Sequence, residues 1–134
     1  MSGMRYEIVS PERLLAAGEA EMLTIPGVAG DFGALAGHAP FLTTLRPGVL
    51  TVTRDGGTDE FFVIGGFAEV NPEGVSVLAE EALPKHELTR ETLEARIEAA
   101  RADLEQLDGD DHTARETSSQ RINDLLHILE HLFN

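Results

Sequence analysis

The chain lacks or is short of several residue types, and each shortage excludes a kind of site or partner. None of its 134 residues is a cysteine, which excludes disulfide bonds and thiolate metal sites. Lysine occurs once, at Lys85, and the net charge is −14. A chain this acidic is repelled by nucleic acid and by anionic lipid headgroups. The expected partners are therefore proteins with basic patches or small ligands, and nucleic acid is not among them.

Long apolar runs are also missing. No run approaches the ~20 residues that a membrane-spanning helix needs, and residues 1–5 lack the apolar segment of a secretory signal. These features predict a soluble intracellular protein without direct membrane insertion, which reaches a membrane only through a partner. The chain also contains neither a P-loop nor a Gly-x-Ser-x-Gly nucleophile motif. No catalytic residue, metal or cofactor is predicted.

The distribution of glycine and proline divides the chain into two parts. Residues 1–84 contain 12 of the 13 glycines and all six prolines, whereas residues 85–134 contain only Gly109. Glycine and proline separate short strands, while their absence permits long helices. The composition therefore predicts a β-rich domain over 1–84 and a helical domain over 85–134.

The first part contains short runs of β-branched and aromatic residues separated by turn signals such as 54–57 and 71–74. The predicted strands are 6–9, 22–25, 41–45, 49–53, 61–64, 67–70 and 75–78. Turn signals about 8–12 residues apart are typical of a sandwich or barrel.

The second part predicts two amphipathic helices, with Thr89 as the N-cap of the first. Residues 108–111, Asp-Gly-Asp-Asp, interrupt the pattern and predict a solvated turn. Two such helices joined by a short loop should fold into an antiparallel hairpin. The apolar stripes are Leu93, Ile97, Ala100, Leu104 and Leu107 on the first helix, then Ile122, Leu125, Leu126, Leu129, Leu132 and Phe133 on the second.

Glycines recur at every third position in the stretch 27–33. The spacing is wrong for a dinucleotide fingerprint, and Pro40 with the β-rich run after it argues against the helix that such a site needs. Two readings stay open. One is a tight loop whose glycines take positive φ, and the other is a recognition loop on a rigid β scaffold.

Several motifs together, in this order and spacing, resemble the epsilon subunit of F-type ATP synthases. The resemblance runs in register over nearly all of residues 5–84. Its motifs are Val9-Ser10-Pro11-Glu12, Gly30-Asp31-Phe32-Gly33, Gly37-His38-Ala39-Pro40, and residues 42–48, 65–70 and 75–79. The family implies an α+β chain: an antiparallel β-sandwich of about ten strands, followed by the helical hairpin.

The resemblance also implies a function and a set of partners. The subunit is a non-catalytic rotor part of the central stalk, which couples proton-driven rotation of the c-ring to ATP synthesis. Its sandwich would bind the gamma subunit and the polar loops of the c-ring. Its hairpin would regulate ATP hydrolysis by contacting the alpha/beta catalytic head. The complex would place the chain on the cytoplasmic face of the bacterial inner membrane as a peripheral subunit.

Two residues at the glycine-rich edge match the family's c-ring contacts, Asp31 and His38. An acidic loop suits the arginine that the family's c-subunit loops carry. The alternative for Asp31 is that it only stabilises its own loop.

Some family members bind ATP at the hairpin, and this chain departs from their motif. The expected aspartate and arginine are absent at 88–93, and a similar string occurs nine residues later. The residues that would serve are Glu98, Arg101 and Arg121. Because the charge partners are lost, the sequence argues against ATP binding. Residues 112–134 hold only Arg115 and Arg121 as firm cations, which predicts weak inhibition.

Two other functions remain as alternatives. His127, Glu130 and His131 match the H-x-x-E-H pattern of a small zinc metallohydrolase, although the sequence favours a histidine pair on a polar helix face because a third ligand and a walled cleft are not evident. The other alternative is a generic acidic adaptor that presents a helical arm.

Overall fold

Residues 3–35, 37 and 40–133 are described in this computed structural model, in which eight strands precede two helices. The chain divides into two units, Met1–Glu87 and Leu88–Asn134. The strands are β1 Met4–Val9, β2 Leu14–Ala20, β3 Met22–Gly27, β4 Gly30–Leu35, β5 Phe41–Thr44, β6 Gly48–Arg54, β7 Gly57–Asn71 and β8 Gly74–Pro84. A short 3-10 turn, Lys85–Glu87, ends the first unit.

Two layers arise because β7 and β8 each run through both. The first half of β7 pairs with β6, from Arg54↔Gly57 to Gly48↔Val63. Its second half pairs with β5, from Thr44↔Phe67 to Phe41↔Val70. One layer therefore follows the order β4-β3-β6-β7-β8, and the other follows β2-β1-β8-β7-β5. All pairs are antiparallel except β1 with β8.

The change of partner along β7 occurs at Gly65 and Gly66, which both have positive φ. Gly66 has a φ of +96°, and a Cβ built there would lie 2.0 Å from the Leu78 carbonyl oxygen. Such an overlap with backbone cannot be relieved by moving a side chain. Glycine is therefore required where β7 passes from one layer to the other.

The core lies between the layers and is formed by alternate residues of the strands. Ile8 on β1, Leu23 on β3, Val52 on β6 and Val77 on β8 are fully buried in one cluster. Val63 and Val70, on the two halves of β7, belong to the same cluster. Both layers contribute side chains to this single core, which confirms the predicted sandwich.

The expected count of about ten strands is wrong, because the part of the chain that the structure describes forms eight. β7 and β8 are continuous strands of 15 and 11 residues, and each contributes to both layers. The sequence runs 61–64 and 67–70, predicted as two strands, are parts of β7 on either side of its glycine pair.

Two strands, β2 and β4, were not predicted from the sequence. β2 has the sequence Leu-Leu-Ala-Ala-Gly-Glu-Ala, which lacks β-branched residues. β4 contains two glycines in six residues. Both are strands because each pairs with a strand of higher β propensity: β2 pairs with β1, and β4 pairs with β3. Tertiary pairing overrides local propensity here.

The second unit is an antiparallel hairpin of α1 Arg90–Glu105 and α2 His112–Phe133. The Thr89 side chain accepts a hydrogen bond from the Thr92 amide at 3.0 Å, so the predicted N-cap is confirmed. Arg90, at the start of α1, donates to the Phe133 carbonyl oxygen at the end of α2. This contact joins the outer ends of the helices and confirms the predicted chain reversal.

The turn between the helices is built by its own acids. The Asp108 carboxylate accepts from the Asp110 amide at 3.0 Å, and the Asp111 carboxylate accepts from the Ala114 amide at 3.1 Å. Arg115 on α2 donates to the carbonyl oxygens of Leu104 and Leu107 at 3.3 and 3.4 Å. Together these contacts satisfy backbone groups at the facing helix ends.

The apolar stripe of α1 is confirmed at Leu93, Ile97 and Ala100, which are buried. Leu104 is only half-buried, and Leu107 lies beyond the end of α1. The stripe of α2 is partly wrong, because Leu126 is exposed and Ile128, which the prediction omitted, is buried. Each residue advances ~100° around a helix. If Leu125 lies near the centre of the buried face, Ile128 falls inside that face and Leu126 at its edge. Neither described helix has the length and apolarity needed to cross a bilayer.

Candidate functional site

The glycine-rich stretch forms the tip of a β-hairpin. β3 and β4 pair out to Gly27↔Gly30, leaving Val28 and Ala29 as the turn. Gly30 has a φ of +128°, as the tight-loop interpretation expected, but only Val28 and Ala29 form the turn and the chain from Gly30 to Leu35 is strand. Val28 at the tip is 60% exposed. An exposed apolar residue on a paired hairpin is well placed for contact with another molecule.

Asp31 follows this tip as the second residue of β4. Its side chain is 59% exposed and forms an ion pair with Arg46. Arg46 also donates from Nε to the Gly27 carbonyl oxygen at 3.1 Å. Asp31 therefore has a partner inside its own unit, as the alternative interpretation of this residue required, and it remains open to solvent on its other side.

An open depression of about 310 Å³ adjoins the carboxylate. It is lined by Ala29, Gly30, Asp31, Phe32, Phe41 and Thr43. The rings of Phe32 and Phe41 meet edge to face, with centroids 5.3 Å apart. An acid beside aromatic walls can receive a cationic side chain, through charge at its head and through apolar contact along its stem.

His38, the other predicted c-ring contact, lies outside the described residues. The chain is described again from Pro40, directly before Phe41 on β5. The prediction for His38 therefore stays a prediction.

A second candidate surface crosses the outer face of the layer β2-β1-β8-β7-β5. Phe67 pairs with both Thr44 and Leu78, Leu78 pairs with Val9, and Val9 pairs with Leu14. Directly paired residues project on the same side of a sheet. We call this set of five residues the apolar row.

The apolar row is open to solvent along much of its length. Phe67 is 43%, Leu78 39% and Leu14 59% exposed. Phe67 and Leu78 were predicted to lie in strands, but their side chains were not predicted to form a surface. Each alternates in the sequence with a buried residue, Ala68 or Val77, which indicates an exposed side chain. The sequence does not show the strand register that makes the two residues neighbours.

Acidic side chains flank this row. Glu69 on β7 lies opposite Ser76 of β8, and Ser76 lies opposite Glu7 of β1. The Ser76 hydroxyl donates to the Glu7 carboxylate at 2.7 Å. The face thus combines exposed apolar area with an acidic border, which suits a partner that has an apolar patch and basic residues around it.

A second arginine–aspartate pair lies at the β6–β7 turn. Arg54 contacts the Asp59 carboxylate through two nitrogens, at 2.7 and 3.2 Å. The hydrogen bond from Arg54 holds the pKa of Asp59 below its usual range. This pair resembles the one at Asp31 in chemistry but lies on a different hairpin.

The residues considered for nucleotide binding lie on the helical hairpin. Glu98 and Arg101 form an exposed ion pair at 3.2 Å, one turn apart on α1. Arg121 lies half-buried on α2. Glu98 and Arg101 thus satisfy each other's charge, while a role for all three in ATP binding stays untested.

His127 and His131 stack on α2 with ring centroids 3.9 Å apart, and His131 Nδ1 lies 3.0 Å from the His127 carbonyl oxygen. Across residues 3–35, 37 and 40–133, no group of three or more histidine, aspartate or glutamate side chains is arranged to hold a metal ion. A zinc hydrolase finds no support in this geometry.

Comparison with known proteins links this chain to one family. The family model for the ATP synthase delta/epsilon chain, beta-sandwich domain, matches residues 3–85. An ATP synthase epsilon chain of Ruegeria sp. is 44% identical over 131 residues, which is 96% of each chain. The ATP synthase epsilon chain of Paramagnetospirillum magneticum is 51% identical over 109 residues, covering 80% of this chain and 81% of its own length.

Solved structures show the same likeness. A chain in the cryo-EM structure of the Euglena gracilis mitochondrial ATP synthase, OSCP/F1/c-ring, aligns with a TM-score of 0.71 and 29% identity, over 96% of this chain and 82% of that one. A chain in the Tetrahymena thermophila mitochondrial ATP synthase central stalk/c-ring aligns with a TM-score of 0.64 at 12% identity, over 98% and 96%. The second likeness concerns the fold alone.

Proposed function

The chain belongs to the ATP synthase delta/epsilon chain family, and we propose that it is the non-catalytic rotor subunit of the central stalk that couples c-ring rotation to ATP synthesis. The observation that carries this proposal is the 44% identity to an epsilon chain over 96% of both chains. A match of that length includes the sandwich and the hairpin in one order. A zinc hydrolase or a generic adaptor would not require it.

The glycine-rich edge is the proposed contact with the polar loops of the c-ring. Asp31 supplies an exposed carboxylate, and the adjoining depression supplies the aromatic walls of Phe32 and Phe41. His38 is proposed as the second contact, on the basis of its family motif. A cationic side chain from the c-ring would gain both charge and apolar contact there.

The apolar row is the proposed contact with the gamma subunit. Phe67, Leu78 and Leu14 expose large apolar side chains on one sheet face. Exposed apolar area bordered by charge is a common form of protein–protein interface. Two separate surfaces on one rigid sandwich would allow it to bind the c-ring and gamma together, as torque transmission requires.

The hairpin is proposed to regulate ATP hydrolysis only weakly through the alpha/beta head. Arg115, one of the two firm cations of 112–134, donates to the Leu104 and Leu107 carbonyl oxygens of α1. Engaged in this way, it contributes less to binding an acidic surface on the head. We place the complex, with this peripheral subunit, at the cytoplasmic face of the bacterial inner membrane.

Co-expression with a gamma subunit tests the proposal directly. We expect the full chain to co-elute with gamma at one-to-one stoichiometry and to have no hydrolytic activity alone. Failure to recover either gamma or c-ring subunits would support a generic adaptor instead. Turnover of a small molecule by the isolated chain would contradict the non-catalytic assignment.

Deleting residues 88–134 tests the regulatory part. ATP hydrolysis by the reconstituted enzyme should change by less than about twofold, since the charges available for inhibition are few. A large rise in hydrolysis would show that the hairpin is a strong inhibitor and that the charge argument is wrong.

A further inference from the structure

A short backbone segment ties the glycine-rich edge to the rest of the sandwich. The Val28 amide donates to the Thr44 carbonyl oxygen at 3.0 Å, and the Arg46 amide donates to the Pro26 carbonyl oxygen at 3.0 Å. Between these two bonds, the Leu45 amide donates to the Gly66 carbonyl oxygen at 2.9 Å. Residues 44–46 therefore link the β3–β4 hairpin, in one layer, to the bend of β7 that enters the other.

The side chain of Arg46 adds a polar clasp to this link. Its Nε donates to the Gly27 carbonyl oxygen at 3.1 Å, and its terminal nitrogen contacts the Asp31 carboxylate. Gly27 and Asp31 lie on the two strands of the hairpin, either side of the exposed turn. The arginine thus bridges both strands at the base of the tip.

The two members of this pair differ in exposure. The Arg46 side chain is 32% exposed and that of Asp31 is 59% exposed. The arginine is the inner member, and the carboxylate is the outer one. Asp31 therefore faces solvent from a fixed position and retains acceptor capacity for a second donor.

Only arginine can make both contacts at once. Its guanidinium holds several donors in a planar fork, whereas a lysine ammonium is a single point on a flexible stem. A lysine at position 46 could keep the charge but would have to give up one of the two acceptors, the Gly27 carbonyl or the Asp31 carboxylate.

We propose that Arg46 is a positioning residue for docking: it holds the Asp31 carboxylate and the tip of the β3–β4 hairpin in the arrangement that a cationic side chain of the partner meets. The partner's cation then binds an Asp31 carboxylate that Arg46 already holds in place, and the two cations share it. This inference rests on the proposed contact with the c-ring, and it adds a residue to that contact which does not itself touch the partner.

Hydrogen exchange on the full chain tests the positioning without any partner. In Arg46→Gln, we expect the Val28 amide to exchange about threefold to tenfold faster than in the wild type. Arg46→Lys should lie between the two. The matched control is Arg54→Gln, which breaks an equivalent ion pair at the β6–β7 turn and should leave Val28 unchanged. Unaltered Val28 exchange in both Arg46 variants would overturn the proposal.

Binding of the gamma-bound chain to purified c-rings tests the action through Asp31. Arg46→Gln should weaken binding about fivefold in the wild-type background and have no further effect in Asp31→Asn. An equal loss in both backgrounds would mean that Arg46 acts independently of Asp31, against the proposal. If the wild-type complex does not bind c-rings, the proposed docking function fails, while the exchange measurement still decides the role of Arg46 in positioning.

Discussion

The sandwich and the hairpin are stabilised in different ways. In the sandwich, side chains from both layers, such as Ile8, Leu23 and Val63, are fully buried in one cluster. In the hairpin, the polar contacts lie mainly at the helix ends, through Thr89 and Arg115. The first unit depends on contacts between many strands far apart in the chain, whereas the second depends on contacts within and between only two helices.

This difference in packing bears on two properties, resistance to deformation and the ability to change conformation. A two-layer sheet with a close-packed core deforms little, so a force applied at one surface reaches another. We expect a pair of helices that bury only a narrow apolar stripe to open at a lower free-energy cost than the sandwich. The difference supports the proposed coupling role of the sandwich and the proposed regulatory role of the hairpin.

The largest expected effect is a loss of sandwich stability from a substitution at the bend of β7. Gly66→Ala should lower the free energy of unfolding by about 3 kcal/mol or more, because its Cβ would overlap the Leu78 carbonyl oxygen. Denaturant unfolding measures this loss. The matched glycine of the other unit is Gly109, where an added Cβ meets nothing within 4 Å, and Gly109→Ala should unfold like the wild type. Equal effects at both positions would contradict the contrast.

The next effect concerns binding rather than stability. Phe67→Asp should weaken binding to gamma by about 10-fold to 100-fold, because a charge would replace an apolar contact in the apolar row. Leu126→Asp is the control, since Leu126 is also an exposed apolar residue, 36% accessible, but lies on α2. Calorimetric titration of gamma measures both variants. A larger loss from the α2 variant would move the main docking surface to the hairpin.

A smaller effect would sharpen the account of the hairpin. Thr89→Ala removes the acceptor for the Thr92 amide and should destabilise α1 by about 1 kcal/mol. Hydrogen exchange along α1 should rise, while exchange at the core strand β6 should not. Thr89→Ser, which keeps the hydroxyl, is the control. Faster exchange in β6 as well would show that the two units unfold together.

The smallest effect depends on pH. The pKa of Asp59 is lowered in the folded chain, chiefly by the hydrogen bond from Arg54. A lowered pKa stabilises the fold above the unfolded-state value, and that stabilisation is lost as the pH falls through the folded-state value. Asp59→Asn should therefore be slightly less stable than the wild type at neutral pH, and the gap should close in acid. Thermal unfolding across that pH range measures it, and a gap that widens in acid would contradict the assignment.

Local sequence was sufficient to predict the strands and helices that have a clear residue pattern of their own. The regions of β1, β3, β5, β6 and β8 were predicted from β-branched and aromatic runs, and the helices from three- and four-residue steps. β2 and β4 were missed because their alanine and glycine content carries no strand signal. Leu126 was misplaced because an apolar residue at the edge of a helical stripe is indistinguishable, in sequence, from one at its centre.

The candidate surfaces show the same limit. Asp31 was identified from its motif. Its partner Arg46 lies 15 residues away in a different motif, residues 42–48, and neither motif indicates that the two side chains meet. The apolar row was likewise invisible in sequence, since Val9, Phe67 and Leu78 become neighbours only through the register of three strands.

Composition by itself determined the division into a β-rich part and a helical part, because glycine and proline interrupt chains locally wherever they occur. The order of residues also determined the helical reversal, because the N-cap at Thr89 and the turn at 108–111 are set by residues close together along the chain. Tertiary structure alone decided that β7 and β8 belong to both layers, that Arg46 holds Asp31, and that scattered apolar residues form one row. The physical reason is that strand pairing joins residues distant in sequence, so its register depends on the whole core and not on any local run.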